Sequence, residues 1–232
     1  KITAVIAAGP TTVVSADRAG EVRFWTAPQP AAVIPGHATS APAMTPTGWI
    51  VGLASGELVR VRGDGQRSTL ATLAGPITHV AAAPGRDVIA AATRERIAVW
   101  VDGQQRVDAP AATLRVWVSD DGDHVSVLGH RGQVWNTRSG ELVVDVTDAR
   151  EFVLAIGRHA YAAVPGGVIV FDLAQPAPRR GTVHELGFDP NLGAAMPSGG
   201  LVVGSTTGAI RIFELGVAGK PIELGHPILS LH

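Results

Sequence analysis

Hydrophobic positions in this chain come in short runs broken by Gly, Pro, Asp and Ser, and within many runs apolar and polar residues alternate. Alternation places successive side chains on opposite faces of an extended strand. No segment sustains the 3.6-residue period of an amphipathic helix. The pattern predicts an all-β chain with very little helix. One run recurs: a tight turn, then a strand that closes on a large apolar residue. It reads "GEVRFW" at 20–25, "GELVRVR" at 56–62, "RIAVWV" at 96–101, "GQVWN" at 132–136, "GVIVFD" at 167–172 and "GAIRIFE" at 208–214. The anchors Trp25, Val61, Trp100, Trp135, Phe171 and Phe213 lie 36, 39, 35, 36 and 42 residues apart.

A β-prone stretch precedes each of these strands, as in "TTVVSA", "DVIAAAT" and "HAYAAV", and another often precedes that one, as in "ITHVAAA" and "EFVLAI". A weaker stretch follows each anchor, as in "AAVIPG" and "ELVVDV". Each unit is therefore four short strands with turn residues between them. A single sheet of that size cannot bury both of its faces, and stacking such sheets around an axis gives each face a neighbour. The fold class expected is an all-β propeller of four-stranded blades forming one domain over 1–232. The units span approximately 1–35, 36–74, 75–109, 110–146, 147–183 and 184–224. The remainder, "GHPILSLH" at 225–232, reads as the start of a further blade, which predicts a seven-bladed ring whose last blade is incomplete.

The units resemble WD-repeat β-propeller blades. Gly36-His37 and Gly225-His226 match the opening dipeptide of that family, with His184 at a comparable place. Ser15, Asp17 and Trp25 match its middle and end, and Phe171-Asp172 echoes the ending. Gly75-Pro76 and Ala109-Pro110 stand where Gly-His belongs, and Val61 replaces a Trp. The resemblance implies a protein–protein interaction scaffold, and bacterial WD-repeat proteins add the expectation of a sensing or regulatory domain in a signalling protein.

Composition narrows the function classes. Net charge is −1, so global charge offers nothing to nucleic acid or an acidic membrane surface. Cysteine is absent, which removes disulfides and thiolate metal sites. No apolar run reaches the roughly 18 residues of a membrane span, and "KITAVIAAGPTTVV" is broken by Gly9-Pro10, so it reads as strand and not as a signal peptide. Basic residues are nearly all Arg, a bias of high-GC bacteria, and a cytoplasmic location is expected, with an exported form the alternative.

Candidate chemistry is sparse. "SDDGDH" at 119–124 resembles part of a calcium loop, but it coincides with the first turn of the other units and lacks a closing Glu, so a β-turn is expected. The eight histidines include no His-x-x-x-His pair, and His37, His184 and His226 recur at the repeat spacing, which favours bonding within blades over a metal site. No nucleophile elbow, phosphate loop or dinucleotide fingerprint occurs. No catalytic residue, cofactor or metal is expected. The loops joining second to third strands, and fourth strands to the next unit, would carry Arg18, Arg94, Arg96, Arg131 and Arg150 against Asp17, Glu95 and Asp148. That imbalance predicts a docking surface for an acidic segment of a protein partner. The alternative is a propeller hydrolase or small-ligand-binding domain using the central channel.

Overall fold

The computed structural model describes residues 2–7, 12–17, 21–26, 29–34, 38–176, 180–196, 198–224 and 228. Arg18, His37, His226 and most of the 225–232 remainder lie outside them. The described residues contain strands and turns with no helix. The chain divides into two compact units, Lys1–Val118 and Ser119–His232.

The first unit holds β1 (Ile2–Ala7), β2 (Thr12–Asp17), β3 (Val22–Thr26) and β4 (Gln29–Ile34), followed by β5 (Ala43–Thr45), β6 (Gly48–Gly52), β7 (Glu57–Val61) and β8 (Arg67–Thr72). It continues through β9 (His79–Ala82), β10 (Val88–Ala92), β11 (Arg96–Val101) and β12 (Gln104–Pro110), and ends on β13 (Thr113–Val118). The second holds β14 (His124–Gly129), β15 (Gly132–Asn136) and β16 (Leu142–Val146), then β17 (Val153–Ile156), β18 (His159–Val164), β19 (Gly167–Asp172) and β20 (Thr182–Glu185). Its last strands are β21 (Leu192–Ala195), β22 (Leu201–Gly204), β23 (Ala209–Glu214), β24 (Val217–Ala218) and β25 (Ile222–Glu223).

Pairing follows chain order, giving six antiparallel meanders of four successive strands among the described residues. In the last meander the outer position is shared by β24 and β25, both paired with β23. Pro221, between them, has no N–H to give to the ladder. The fifth sheet runs through Glu185, so His184, read as the opening of the sixth unit, lies on the outer strand β20 opposite Val168.

All six anchors fall on third strands. Trp25 shows why an aromatic serves there: its Nε1 donates to Oγ of Ser15 at 2.8 Å, diagonally across the β2–β3 ladder. Ser15 is only 6% exposed, so the bond ties two strands where water has little access. Ser15→Ala is expected to cost about 1–2 kcal/mol, the net value of a hydrogen bond to a half-buried group, with an unchanged far-ultraviolet spectrum. Denaturant unfolding measures it.

Both faces of the second strands are covered. Val51 joins Val22, Leu53, Val59 and Val61 in one apolar cluster. Its neighbour Ile50 points the other way, into a cluster with Leu58, Ile77, Ile89 and Ala91. Alternation along β6 therefore feeds one cluster shared with the first sheet and another shared with the third. β10, "VIAAA", is buried at every position, and its alanines let the neighbouring β13 approach.

Hydrogen bonds also cross between sheets. Ser126 Oγ on β14 accepts the Ala155 N–H of β17 at 3.1 Å, Asp189 accepts the Gly166 N–H at 2.8 Å, and Thr39 donates to the Ile77 carbonyl. Arg60 on β7 reaches Asp87, ahead of β10, at 2.6 Å.

Candidate partner-binding site

The hairpin β10–β11 turns through Arg94 and Glu95. Neither has the positive φ that two-residue hairpins favour. A side chain holds the turn instead: the buried Thr93 Oγ1 accepts the N–H groups of Glu95 and Arg96 at 3.3 and 3.2 Å. Ser205 repeats the device before β23, accepting from Thr207 and Ala209. Arg94 is thereby fixed at its backbone, and its carbonyl accepts from Thr113. Its exposed side chain has no partner among the described residues.

Beside this turn lies an open groove of about 690 Å³. Gly75 and Pro76 of the β8–β9 connection line it together with Thr39, Thr78 and Thr93, and the exposed Arg94 and Glu95 form its rim. The hydroxyls of Thr39 and Thr78 are already committed, to the Ile77 and the Ala92 carbonyl. The charges at the rim are what remain to meet a ligand. Gly75 takes a φ of 94°, a conformation that suits glycine, as the chain turns toward Pro76.

Next to the groove, His79 on β9 is half-buried and its Nδ1 lies 3.1 Å from the Thr78 hydroxyl. Burial, and then the Arg115 charge, hold its pKa below the ordinary histidine value. A lowered folded pKa means the unfolded chain takes up the proton first. Stability is therefore full above about pH 6.5 and declines as the pH falls through that value toward the folded one. Melting at pH 5 and pH 7 is expected to show a gap that narrows in His79→Gln.

The remaining candidates differ in state. Arg96 is engaged by Asp108, Nε at 3.1 Å and Nη2 at 2.6 Å, and Arg131 by Asp145 at 2.7 Å. Both pairs are exposed, so they contribute little to stability, yet they balance charge that the loop sequence alone leaves positive. Arg150 is exposed beside Glu151, whose φ is 56°, and its side chain has no partner among the described residues. Arg94 and Arg96 belong to the first unit, Arg131 and Arg150 to the second; Arg18 lies outside the described residues.

"SDDGDH" is a turn. Ser119 Oγ donates to Asp121 at 2.6 Å and accepts the His124 N–H at 3.0 Å. Asp121 also accepts the Asp123 N–H at 2.9 Å, and Gly122 sits at a φ of 71°. Asp121 thus shapes the turn, and the Asp123 carboxylate is paired with Arg138, both bonds at 3.1 Å. Among the described residues no three His, Asp or Glu side chains gather as metal ligands, and no helix is long and apolar enough to cross a membrane.

The fold is an all-β propeller. Among solved structures, the chain is similar to the WD40 β-propeller domain of Doa1, at 17% identity over 95% of this chain and 81% of that one, with a TM-score of 0.57. It is similar to the computationally designed Ika8 protein, at 17% identity over 100% of this chain and 77% of that one, TM-score 0.71. It is also similar to BamB of Moraxella catarrhalis, at 14% identity over 100% and 93%, TM-score 0.58. At such identities the likeness is one of fold. No family model and no curated protein sequence matches the chain.

Proposed function

We propose that this chain is a non-catalytic interaction module of the WD-repeat type, which captures an extended segment of a partner protein in the groove beside Arg94. The observation that carries this reading is an exposed cation without a described partner on a backbone-locked turn, at the rim of a groove whose Thr39 and Thr78 hydroxyls are committed. Rigid presentation lowers the ordering cost of binding, and Arg is a favoured interface anchor. The adjacent Glu95 refines the partner's chemistry: an acidic residue to meet Arg94, with a donor or base beside it for Glu95. The Ser15–Trp25 bond supports the WD-repeat assignment. A regulatory role in a cytoplasmic bacterial signalling protein extends the same reading.

The test is selection of peptides from a random display library, followed by a charge swap. Selected peptides are expected to share an acidic position. Arg94→Glu is expected to weaken them at least tenfold, about 1.4 kcal/mol, and an Arg at that peptide position to restore binding. Peptides indifferent to Arg94→Glu would overturn the groove as the site.

A further inference from the structure

The second unit carries a different cleft, of about 290 Å³, bounded by the ends of β19 and β20 and by the β23–β24 turn. We propose that it binds a small oxyanion, a carboxylate or a phosphate, through His159, His184 and Arg180. This site lies apart from the groove in sequence and in unit, and stands independently of that reading.

The two imidazoles are held by packing. His184 meets Phe213 edge-on at 5.5 Å between ring centres, with the planes at 88°. His159 leans on Tyr161 at 6.2 Å, and Tyr161 meets Phe213 at 5.9 Å. Tyr161 and Phe213 are fully buried, so they form a fixed floor against which both histidines rest. Gly216 closes one side, and a Cβ there would lie 2.9 Å from Nε2 of His159. Both histidines are half-buried, and neither ring hydrogen-bonds to a described residue. A half-buried imidazole keeps polar nitrogens that need a partner, and here both histidines line the same cleft.

Charge decides what that partner is. The carboxylate on the lining, Asp172, is already engaged: Arg158 holds it bidentately with both bonds at 2.8 Å, and the Ala174 N–H adds a third at 3.0 Å. Those contacts hold the Asp172 carboxyl well below the usual carboxylate range, and its charge is matched by Arg158. With Asp172 matched by Arg158, Arg180, exposed and without a described side-chain partner, adds a positive charge that no lining carboxylate offsets. Leu215 forms an apolar lip at 83% exposure and a φ of 49°, a conformation that disfavours a branched side chain. A volume near the lower end of small-molecule sites suits an oxyanion bearing a few carbons.

The experiment follows the imidazole signals of the intact chain by nitrogen-15 NMR, at fixed pH and ionic strength, during separate titrations with inorganic phosphate and with acetate. Saturable shifts at His159 and His184, without shifts at the exposed His130, are expected with one or both anions, and the tighter one identifies the class. Arg180→Gln, on the surface, is expected to weaken binding at least tenfold with the melting temperature unchanged, and His184→Gln to weaken binding by a similar factor. Linear, unsaturated shifts with both anions, or wild-type affinity in folded Arg180→Gln, would overturn the proposal.

Discussion

Phe213→Ala is expected to destabilise the chain by about 3–5 kcal/mol, the cost of removing a buried aromatic ring and leaving a cavity. Phe213 is fully buried on β23 and pairs with Leu201 of β22, itself fully buried. Its ring is the shared contact of Tyr161 and His184, which belong to the preceding sheet. Loss of the ring therefore frees two side chains of another sheet as well as its own surroundings. In a chain of this size the melting temperature should fall by roughly 6–20 °C. Thermal unfolding followed by circular dichroism measures it, and Phe213→Leu, which keeps most of the volume, should recover at least half of the loss. A fall of less than about 1 kcal/mol would mean that the interface between β18 and β23 is not packed as described.

Gly132→Val should be comparably damaging by the opposite mechanism. Gly132 opens β15, and a Cβ added there would lie 2.5 Å from Cβ of Ala149 and closer still to a methyl of Val153. Val153 is fully buried on β17, so it has nowhere to go, and overpacking costs about 1–3 kcal/mol or more. Gly132→Ala should cost less, and combining it with Val153→Ala should recover part of that loss, a coupling that urea unfolding of the single and double variants would reveal. Additive losses would show that the two residues do not meet.

What could be read from the sequence was the content of the strands, and what could not was their register. The six anchors and the alternating runs reveal third and second strands because burial on a pleated sheet imposes a period of two. Ser15 and Trp25 stood out through the resemblance to WD-repeat blades, and the structure joins them. Between third and fourth strands, however, the ladder slips at Phe24/Trp25, Leu58/Val59, Val99/Trp100 and Val134/Trp135. An extra residue on the outer strand bulges out at each slip, and no local signal in the sequence marks it. Without that register, Asp108 and Asp145 could not be seen diagonal to Arg96 and Arg131, and the loop arginines look freer than they are. The cleft of the second unit was hidden for a related reason, since His159, Arg180 and the Leu215 turn come from three segments. The groove at Arg94 was half visible: the arginine stood out, whereas the hydroxyl that locks its turn did not.

The bonds from Ser126 to Ala155, from Asp189 to Gly166 and from Thr39 to Ile77 bear on how such a chain can be rearranged. A segment cut at sheet boundaries and moved elsewhere would carry away a donor or acceptor that its former neighbour needs. The portable module is therefore a sheet together with the seam it shares with the next. A graft or duplication should succeed when its ends fall in turns inside sheets, leaving each seam intact.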